Sequence, residues 1–464
     1  MPPRIRFLSD VDPVHDLFRL TAQAHSCVVR SSASKLLENR LTGLKMEPDQ
    51  TYEKSLRIIR HSIGHGHVSL LDHLVFHVSF EDVDRLFTLT TARYPYGISL
   101  LQQSTRRVKI KEDNLPWDLT TNLNYTVKMD VEDYLNETYG IYNRLLQGRN
   151  KEEAMLVLPL GIKTNTTLTI NGRGVVQLVR DSDTYPETVS SVVREFYTIL
   201  TSEKLTPQNT EGIANYDWAF SKEYSYWEVD SIFYGGGLEH GIDFFLEPQD
   251  PRYDQIVSHT CPEDLQIQKT GENSDPYDLR FKLYVSVDLS ILHELLRHRT
   301  IDFQIEPITH AVEEPTFSLP DVRDSNLRND AARVMRRGVD LYKRMVLAGQ
   351  SYRDALWILP HGLRVSVRMN LSGWNVKNLF MQRNCTRTKR GFLILLEDIK
   401  KQIGLLLEDT YSGDKVFYRL ITSRCGEYRR CPETDDGRPP SDCSGPPVKP
   451  VKPKITLPTY KRTR

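Results

Sequence analysis

Apolar residues recur at helical spacing over long stretches of the chain, and shorter runs alternate as strands do. Helical spacing covers residues 14–24, 52–63, 83–91, 131–146, 186–200, 290–298, 330–348 and 393–407. Strand-like runs occupy residues 74–80, 166–170 and 280–287. Both element types occur in each half of the chain, so the pattern predicts an α+β fold.

The same order of signals occurs twice. The segment LVLPLGI at residues 156–162 is echoed by WILPHGL at residues 357–363, each after a helical pattern and before a strand-like run. Upstream, LDHLVF at residues 71–76 is echoed by LEHGIDF at residues 238–244. Two echoes in the same order predict a tandem duplication with its junction near Thr206.

The duplication divides the chain into three predicted parts. Residues 1–205 form a first repeat and residues 206–412 a second. The second repeat carries an insertion near residues 247–278 that is rich in Pro, Asp and Gln, and we predict a surface excursion there. Residues 413–464 form a Pro- and Lys-rich tail that is predicted to be extended. Such a tail is either solvated or docks on a neighbouring subunit.

Charge and composition indicate which partners and which cellular location to expect. The 464 residues include 61 Lys plus Arg and 61 Asp plus Glu, so no overall field favours nucleic acid or an anionic membrane as a partner. The sequence shows neither a signal-peptide pattern nor the run of ~20 apolar residues that a membrane span needs. Its six cysteines are few for the length and scattered, which is typical of reduced thiols. A cytoplasmic location is the expectation.

Three of the cysteines lie in the predicted tail, at Cys425, Cys431 and Cys443. Zinc sites usually bring paired cysteines about two to four residues apart, and this trio is more widely spaced. The sequence therefore predicts no metal site.

A cationic triplet, Arg297-His298-Arg299, follows the apolar segment at residues 291–296. Guanidinium groups are permanently charged and present forked donors, so two of them beside an imidazole suit a diphosphate or an electron-rich ring. The other interpretation is that these cations complement the negative end of a helix dipole. The spacing alone leaves both interpretations open.

These motifs resemble those of the flavin-dependent thymidylate synthase family. In the second half the similar residues are, in chain order, Glu239-His240, Arg297-His298-Arg299, Leu359-Pro360, Asn378 and Arg383. In the first half, GHVSLLDH at residues 66–73 resembles the family's Gly-His-x-Ser/Thr-x-x-Glu-His segment. QQSTR at residues 102–106 resembles its nucleotide-binding Glu/Gln-x-Ser-x-Arg segment. The resemblance covers most of residues 1–410 and implies two tandem α+β units of this family.

The two repeats depart from the family pattern in complementary ways. The family joins Arg-His-Arg and Ser-x-Arg in one stretch. The first repeat has Arg93-Tyr94-Pro95 in place of Arg-His-Arg, and Pro95 lacks a backbone donor. The second repeat keeps the triplet but has EPITH at residues 306–310 in place of Ser-x-Arg.

Complementary losses predict a composite site. The resemblance implies a tetramer whose sites lie between subunits, so we expect a tandem chain to form a homodimer that imitates it. Each intact site would then take Arg-His-Arg from one repeat and Ser-x-Arg from the other. Whether the two parts come from one chain or from two is open at this point, as is whether the second pair of sites is vestigial.

The resemblance implies a role for each matching residue. The cofactor-binding candidates are Arg297, His298, Arg299, His67, Ser69, Asn171 and Asn378. The nucleotide-binding candidates are Gln102, Gln103, Ser104, Arg106, Glu294 and Arg383, with Arg106 on the phosphate. Arg297 and Ser104 are also the catalytic candidates. Arginine keeps its proton at neutral pH, so it acts electrostatically, and Ser104 is expected to orient the base more than attack it.

Several of these residues also have plain structural interpretations. Arg297 can form a surface ion pair, Arg106 can belong to a solvated basic run, and His67 can cap a loop.

The reaction that the resemblance implies is reductive methylation of deoxyuridine monophosphate (dUMP) to dTMP. Methylenetetrahydrofolate gives the carbon, reduced FAD gives a hydride, and NADPH reduces the flavin. One alternative is a one-carbon transferase that acts on another pyrimidine nucleotide. The other is a catalytically silent flavin or nucleotide binder, because Met155 stands where the family has a further phosphate-side arginine.

Overall fold

The structure is a computed structural model. It describes residues 3–8, 11–26, 29–64, 68–94, 96–104, 108–148, 151–201, 216–222, 224, 243–245, 247–260, 267–270, 279–385, 388–408, 420–423 and 425. The helices and strands below belong to these residues.

Eight strands form two four-stranded sheets. The strands are β1 Arg4–Phe7, β2 Val75–Asp84, β3 Ile98–Gln102, β4 Lys163–Asn171, β5 Ile267–Thr270, β6 Arg280–Asp288, β7 Asp302–Ile305 and β8 Arg364–Ser372. The first sheet has the order β1-β2-β4-β3 and the second the order β5-β6-β8-β7, so the two orders correspond strand for strand. The first sheet is antiparallel throughout, and its register shifts between Phe80 and Val83, next to Asp82 with its positive φ of 59°.

Fifteen α-helices connect and cover the strands in the described part of the chain. They are α1 Pro13–Ser26, α2 Ala33–Met46, α3 Pro48–Gly64, α4 Arg85–Ala92, α5 Tyr125–Gln147, α6 Lys151–Ala154, α7 Gly172–Arg180, α8 Glu187–Thr201, α9 Asp217–Phe220, α10 Tyr253–Thr260, α11 Leu289–Leu295, α12 Ile308–Ala311, α13 Ser325–Leu347, α14 Gly373–Arg383 and α15 Arg390–Glu408. Short 3-10 helices occur between them. No helix among the described residues is both long and apolar enough to cross a bilayer.

The chain forms two compact units. The first contains residues 1–261, 286–299 and 303–367, and the second contains residues 262–285, 300–302 and 368–464. The predicted repeat boundaries at residues 205–206 and 412–413, and most of the predicted tail, lie outside the described residues, so these limits stay a prediction.

Most of the helices and strands that the sequence pattern predicted lie within a few residues of their observed bounds. Residues 83–84 end β2 instead of starting a helix, because the Asp84 carboxylate accepts from the Phe87 amide at 2.8 Å and the helix begins only after this cap. The elements that were not predicted include helices α2, α7 and α14 and strands β1, β3 and β7. The segment at residues 247–278 is more than a surface excursion, because it contains α10, with Tyr253 and Ile256 buried, and the edge strand β5.

Helices α5 and α13 pack against each other in opposite directions within the first unit. Ion pairs at both ends show this direction: Arg144 binds Asp330 at 2.8 Å, and Arg344 binds Asp130. Arg337 adds pairs to α5 near the middle of the contact. Because α5 belongs to the first half of the sequence and α13 to the second, this contact joins the two halves.

The two Leu-Pro segments also meet in the first unit. Pro159 and Pro360 form an isolated antiparallel bridge. The amide of Leu160 donates to the carbonyl oxygen of Leu359 at 2.9 Å, and the amide of His361 donates to that of Leu158 at 2.9 Å. The hydrogen bonds are reciprocal, so each echo of the repeated segment contacts the other.

Replacing Gly338 by alanine should destabilise the contact between α5 and α13. A Cβ at this position would lie 2.6 Å from the hydroxyl of Tyr134, which is fully buried and donates to the carbonyl of Ile358. Overpacking of this kind costs about 1–3 kcal/mol, which thermal unfolding would register as a lower Tm. Gly140→Ala on α5 is the matched control, since its new Cβ meets nothing within 4 Å, and it should keep or raise the Tm. Equal melting temperatures for the two variants would contradict the prediction.

Candidate functional site

The structure brings Arg297 to Gln102. Helix α11 begins after the Asp288 cap and ends at Leu295, so Arg297 emerges just beyond it as an exposed side chain. Gln102 is the last residue of β3. The guanidinium of Arg297 donates from Nη2 to Oε1 of Gln102 at 3.3 Å, although 195 positions separate the two residues. Arg297 of the cationic triplet therefore lies beside Gln102 of the first half, within one chain and within one compact unit.

A second hydrogen bond fixes the amide of Gln102. Its Nε2 donates to the hydroxyl of Thr88 on α4 at 3.0 Å. The amide nitrogen is thereby directed at the helix and the amide oxygen at Arg297. Gln102 thus acts as a bridge between α4 and the guanidinium of Arg297.

Arg85 is a member of this cluster that the sequence prediction missed. It is the first residue of α4, only 8% exposed, and its Nη1 has no hydrogen-bond partner. Burial, together with the charge of Arg297 and against the opposing effect of Glu294, lowers the pKa of Arg85 to about 9. The guanidinium still carries its charge at neutral pH. A cation buried beside a second cation is unfavourable unless an anion compensates it.

His293 completes the buried side of the cluster. Burial holds the pKa of this histidine well below its usual value, and the neighbouring charges of Arg297 and Arg85 lower it further. The imidazole is therefore neutral, and its Nε2 is buried without a hydrogen-bond partner. The sequence prediction assigned no role to His293, because an isolated histidine on an apolar helix is usually a core residue.

Gln103 and Ser104 follow Gln102 and are the other described residues of the QQSTR segment. The backbone amide of Gln103 donates to the carbonyl of Asn165 at 3.0 Å, which extends the pairing with β4, and its side chain is exposed. Ser104 is half-buried, and its carbonyl oxygen accepts from the amide of Val108 at 2.9 Å. Arg106 lies outside the described residues, so its predicted phosphate contact stays a prediction.

The other candidates near Arg297 differ in exposure. His298 is 4% exposed, and its amide donates to the carbonyl of Leu295 at 2.9 Å. Arg299 is half-buried, and burial lowers its pKa. Glu294 is half-buried and provides the negative charge that acts on Arg85. Arg297 is thus the exposed cation of the triplet.

Ser69 and Asn171 belong to a second group in the same unit. Ser69 is exposed in the 3-10 helix Val68–His73, which packs against α7. Asn171 caps α7 by accepting from the amide of Gly174 at 2.8 Å, and its Nδ2 donates to Asp72 at 3.1 Å. The flavin contacts expected of both residues stay predictions, and His67 lies outside the described residues.

The variant Asn171→Ser distinguishes the helix-capping role of Asn171 from a contact between Asn171 and the cofactor. At the corresponding place, Ser372 caps α14 by accepting from the amide of Asn375 at 3.1 Å, so serine can fill this role. We expect Asn171→Ser to keep the Tm within a few degrees, since a cap exchange of this kind changes stability by less than ~1 kcal/mol. If Asn171 touches the cofactor, the variant should retain less FAD after gel filtration. Wild-type FAD retention would rule out that contact.

Asn378 and Arg383 lie on α14 in the second unit. The side-chain oxygen of Asn378 accepts from Gln382 at 2.9 Å. The guanidinium carbon of Arg383 lies 5.4 Å from the ring centre of Phe392. Their predicted roles toward cofactor and nucleotide stay predictions.

The position that corresponds to Arg297 in the first half is covered by aromatic rings. Arg93 is 7% exposed, and its guanidinium carbon lies 4.7 Å from the ring centre of Phe245 and 5.6 Å from that of Tyr185. The neighbouring Tyr94 donates its hydroxyl to Asp181 at 2.9 Å. A cation in this position is held by protein groups and is not presented to a ligand.

In the second half, the segment that corresponds to Ser-x-Arg is likewise occupied by contacts with other protein groups. Glu306 is buried, accepts from the amide of Ser366 at 2.6 Å and binds His310 at 2.5 Å. The ring of Tyr253 packs edge-on against His310. The 3-10 helix Asp243–Phe245 contacts α12, so the covered arginine and this closed segment lie at one place.

These features define a mixed α+β protein with a cationic site built from both halves of its chain. A family model described as "Thymidylate synthase complementing protein" matches residues 14–185 and 277–404. These two segments make up more than half of the chain. The chain therefore belongs to this family, that of the flavin-dependent thymidylate synthases.

Relatives and a solved structure show similarity over part of the chain. A flavin-dependent thymidylate synthase from Saccharolobus solfataricus is 31% identical over 142 residues, which are 30% of this chain and 54% of the relative. One from Pyrococcus furiosus is 31% identical over 118 residues, 24% of this chain and 47% of the relative. The chain spans about half the length of the curated relatives it matches. The crystal structure of the UMP/dUMP methylase PolB from Streptomyces cacaoi bound with 5-Br dUMP matches with a TM-score of 0.29 and 15% identity, covering 42% of this chain and 88% of that one.

Proposed function

We propose that this chain is a flavin-dependent thymidylate synthase that converts dUMP to dTMP. Methylenetetrahydrofolate gives the methylene group, reduced FAD gives a hydride, and NADPH reduces the flavin. The observation that supports this most directly is the hydrogen bond between Arg297 and Gln102, because it joins the two motifs that the family uses at one site.

The residues around this contact suit an anionic or electron-rich ligand. Arg297 is exposed, and Arg85 and His293 each have a buried nitrogen without a hydrogen-bond partner. The Nη1 of Arg85 is a donor, and buried donors are normally satisfied, so a ligand oxygen fits there. The neutral His293 hydrogen-bonds the backbone of Thr88 through its other ring nitrogen, so its Nε2 is an acceptor. A nucleotide and a reduced isoalloxazine ring both offer such an oxygen to Arg85.

The proposed site residues contribute to the reaction through their positions and charges. Arg297, which hydrogen-bonds Gln102, holds the oxygen on which negative charge develops, since a preorganised cation stabilises that charge. Gln102, fixed by Thr88, keeps Arg297 in place. Ser104 orients the pyrimidine through its hydroxyl group. Bound reduced FAD supplies the hydride.

We further propose that the chain arose by tandem duplication and acts as a cytoplasmic homodimer with one site per chain. The corresponding strand orders of the two sheets and the reciprocal pairing of the two Leu-Pro segments support the duplication. The aromatic cover of Arg93 and the pairing of Glu306 with His310 support a single site, because both halves of the second position are occupied by protein.

Release of tritium from C5-labelled dUMP tests the proposal. The purified protein should release tritium only when methylenetetrahydrofolate, FAD and NADPH are all present, and dTMP should appear in step. Release accompanied by a nucleotide product other than dTMP would favour the one-carbon transferase. A yellow protein that binds dUMP and releases no tritium would favour the silent binder. Met155, which is buried and apolar where the family has an arginine, is the observation that favours this last reading.

A further inference from the structure

Arg85 occupies a position that the fold does not require to be charged. It follows the cap residue Asp84, and its backbone amide donates to the carbonyl of Leu160 at 3.0 Å. In the second half, Leu289 follows the cap residue Asp288 in the same way, and its amide donates to Leu363 at 3.0 Å. Both side chains are buried, at 8% and 1% exposure. Leucine is therefore sufficient for this backbone setting.

An arginine at this position lowers the stability of the folded protein when no ligand is bound. Its Nη1 is buried without a partner, and the second cation, Arg297, lies close enough to lower the pKa of Arg85. Glu294 compensates in part. Replacing an incompletely paired buried charge by an apolar residue of similar volume is often neutral or stabilising, so the arginine needs a reason beyond packing.

Helix α4, which begins at Arg85, also contacts the residues of the candidate site. Helix α4 carries Arg85 at its start and Thr88 one turn later, and Thr88 binds both the side chain of Gln102 and His293. Gln102 in turn accepts from Arg297. Arg85 thus lies on the helix that holds Gln102, and Arg297 is near enough to act on its charge, while its Nη1 has no protein partner.

We propose that Arg85 is a further anion-binding residue of this site, and that it pairs with Arg297 to receive an anionic or carbonyl oxygen of the nucleotide. This inference rests on the proposed function and adds a residue to it. Two guanidinium groups present more donors than one and hold an oxygen more rigidly, which favours a charged ligand over water. The oxygen belongs either to the phosphate or to the pyrimidine ring.

The test measures dUMP affinity by calorimetry in the full-length protein, for wild type and for Arg85→Leu. We expect Arg85→Leu to weaken dUMP binding at least tenfold while its Tm stays unchanged or rises, because the second half already uses leucine here. A residue with a purely structural role would lower the Tm and leave the affinity of the folded protein unchanged. Arg85→Met is the second variant should the leucine variant not fold, and the same loss of affinity is expected.

Two further measurements locate the oxygen and control for charge. If the phosphate is bound, the affinity for deoxyuridine is the same in wild type and variant; if the ring oxygen is bound, it falls in parallel with that for dUMP. Arg194→Leu removes one positive charge from an exposed position on α8 and should leave dUMP affinity unchanged.

The outcomes separate the inference from the proposed function. Wild-type dUMP affinity in folded Arg85→Leu or Arg85→Met overturns the inference and leaves the proposed function standing. A wild-type protein that binds no dUMP contradicts the proposed function and the inference with it.

Discussion

Replacing Arg297 by alanine should reduce dTMP formation by about 10²–10³-fold, the loss seen when one preorganised charge-stabilising donor is removed. Arg297 is the exposed cation that contacts Gln102, and the developing charge would lose its nearest partner. Steady-state tritium release measures the effect, and turnover should fall more than the KM for dUMP rises. Because Arg297 lies outside the core, the Tm should change little.

Two variants make this result specific. Arg297→Lys keeps the charge but loses the forked donor, so it should recover part of the activity. Arg194→Ala removes an exposed arginine of the same unit and should keep full turnover. Activity within threefold of wild type in Arg297→Ala would contradict a role in charge stabilisation.

Coexpression of Ser104→Ala with Arg297→Ala should give no more activity than the better of the two variants alone. The contact between Arg297 and Gln102 lies within one chain, so every site in a mixed dimer would carry one of the two substitutions. If sites took their halves from different chains, the mixed dimer would contain one unaltered site and would regain a substantial fraction of wild-type turnover. Differently tagged chains and two-step purification isolate the mixed dimer for assay.

The matched control is a mixed dimer of wild type with the double variant Ser104→Ala/Arg297→Ala. An intrachain site predicts about half of the wild-type turnover here, because each wild-type chain keeps its own site. The contrast between the two mixed dimers removes any effect of coexpression itself. Equal activity in both would contradict an intrachain site.

The sequence was informative where chemistry is concentrated in short motifs. Arg297 and Gln102 were both predicted as site residues, since a cationic triplet after an apolar segment and a Gln-x-Ser-x-Arg pattern are recognisable without a structure. That the two meet within one chain could not be predicted, because it depends on how α4, α11 and β3 pack.

The buried residues Arg85 and His293 gave no such signal. Arg85 stands at the start of a helix, where an arginine ordinarily reaches solvent, and only the packing around it shows that its guanidinium is enclosed. His293 likewise reads as a core histidine until its two charged neighbours are known. Burial of a polar group is a property of distant segments brought together, so a linear pattern does not contain it.

Strand β3 and the residues that cover Arg93 have only weak signals in the sequence. Strand β3 reads ISLLQ and lacks a clean alternation of apolar and polar residues, with Ile98 buried but Leu101 exposed. Phe245, which covers Arg93, and Tyr253, which packs against His310, lie in a segment whose composition resembles that of a loop. Their roles depend on contacts with distant residues, which the sequence does not show.

Titration of the purified protein with dUMP, counted per chain by calorimetry, tests the central claim most directly. The claim is that one chain builds one site from its two halves, while the corresponding second position is filled by its own Phe245 and by the pair of Glu306 and His310. A stoichiometry of one dUMP per chain is the predicted result. Two equivalent dUMP molecules per chain would contradict it.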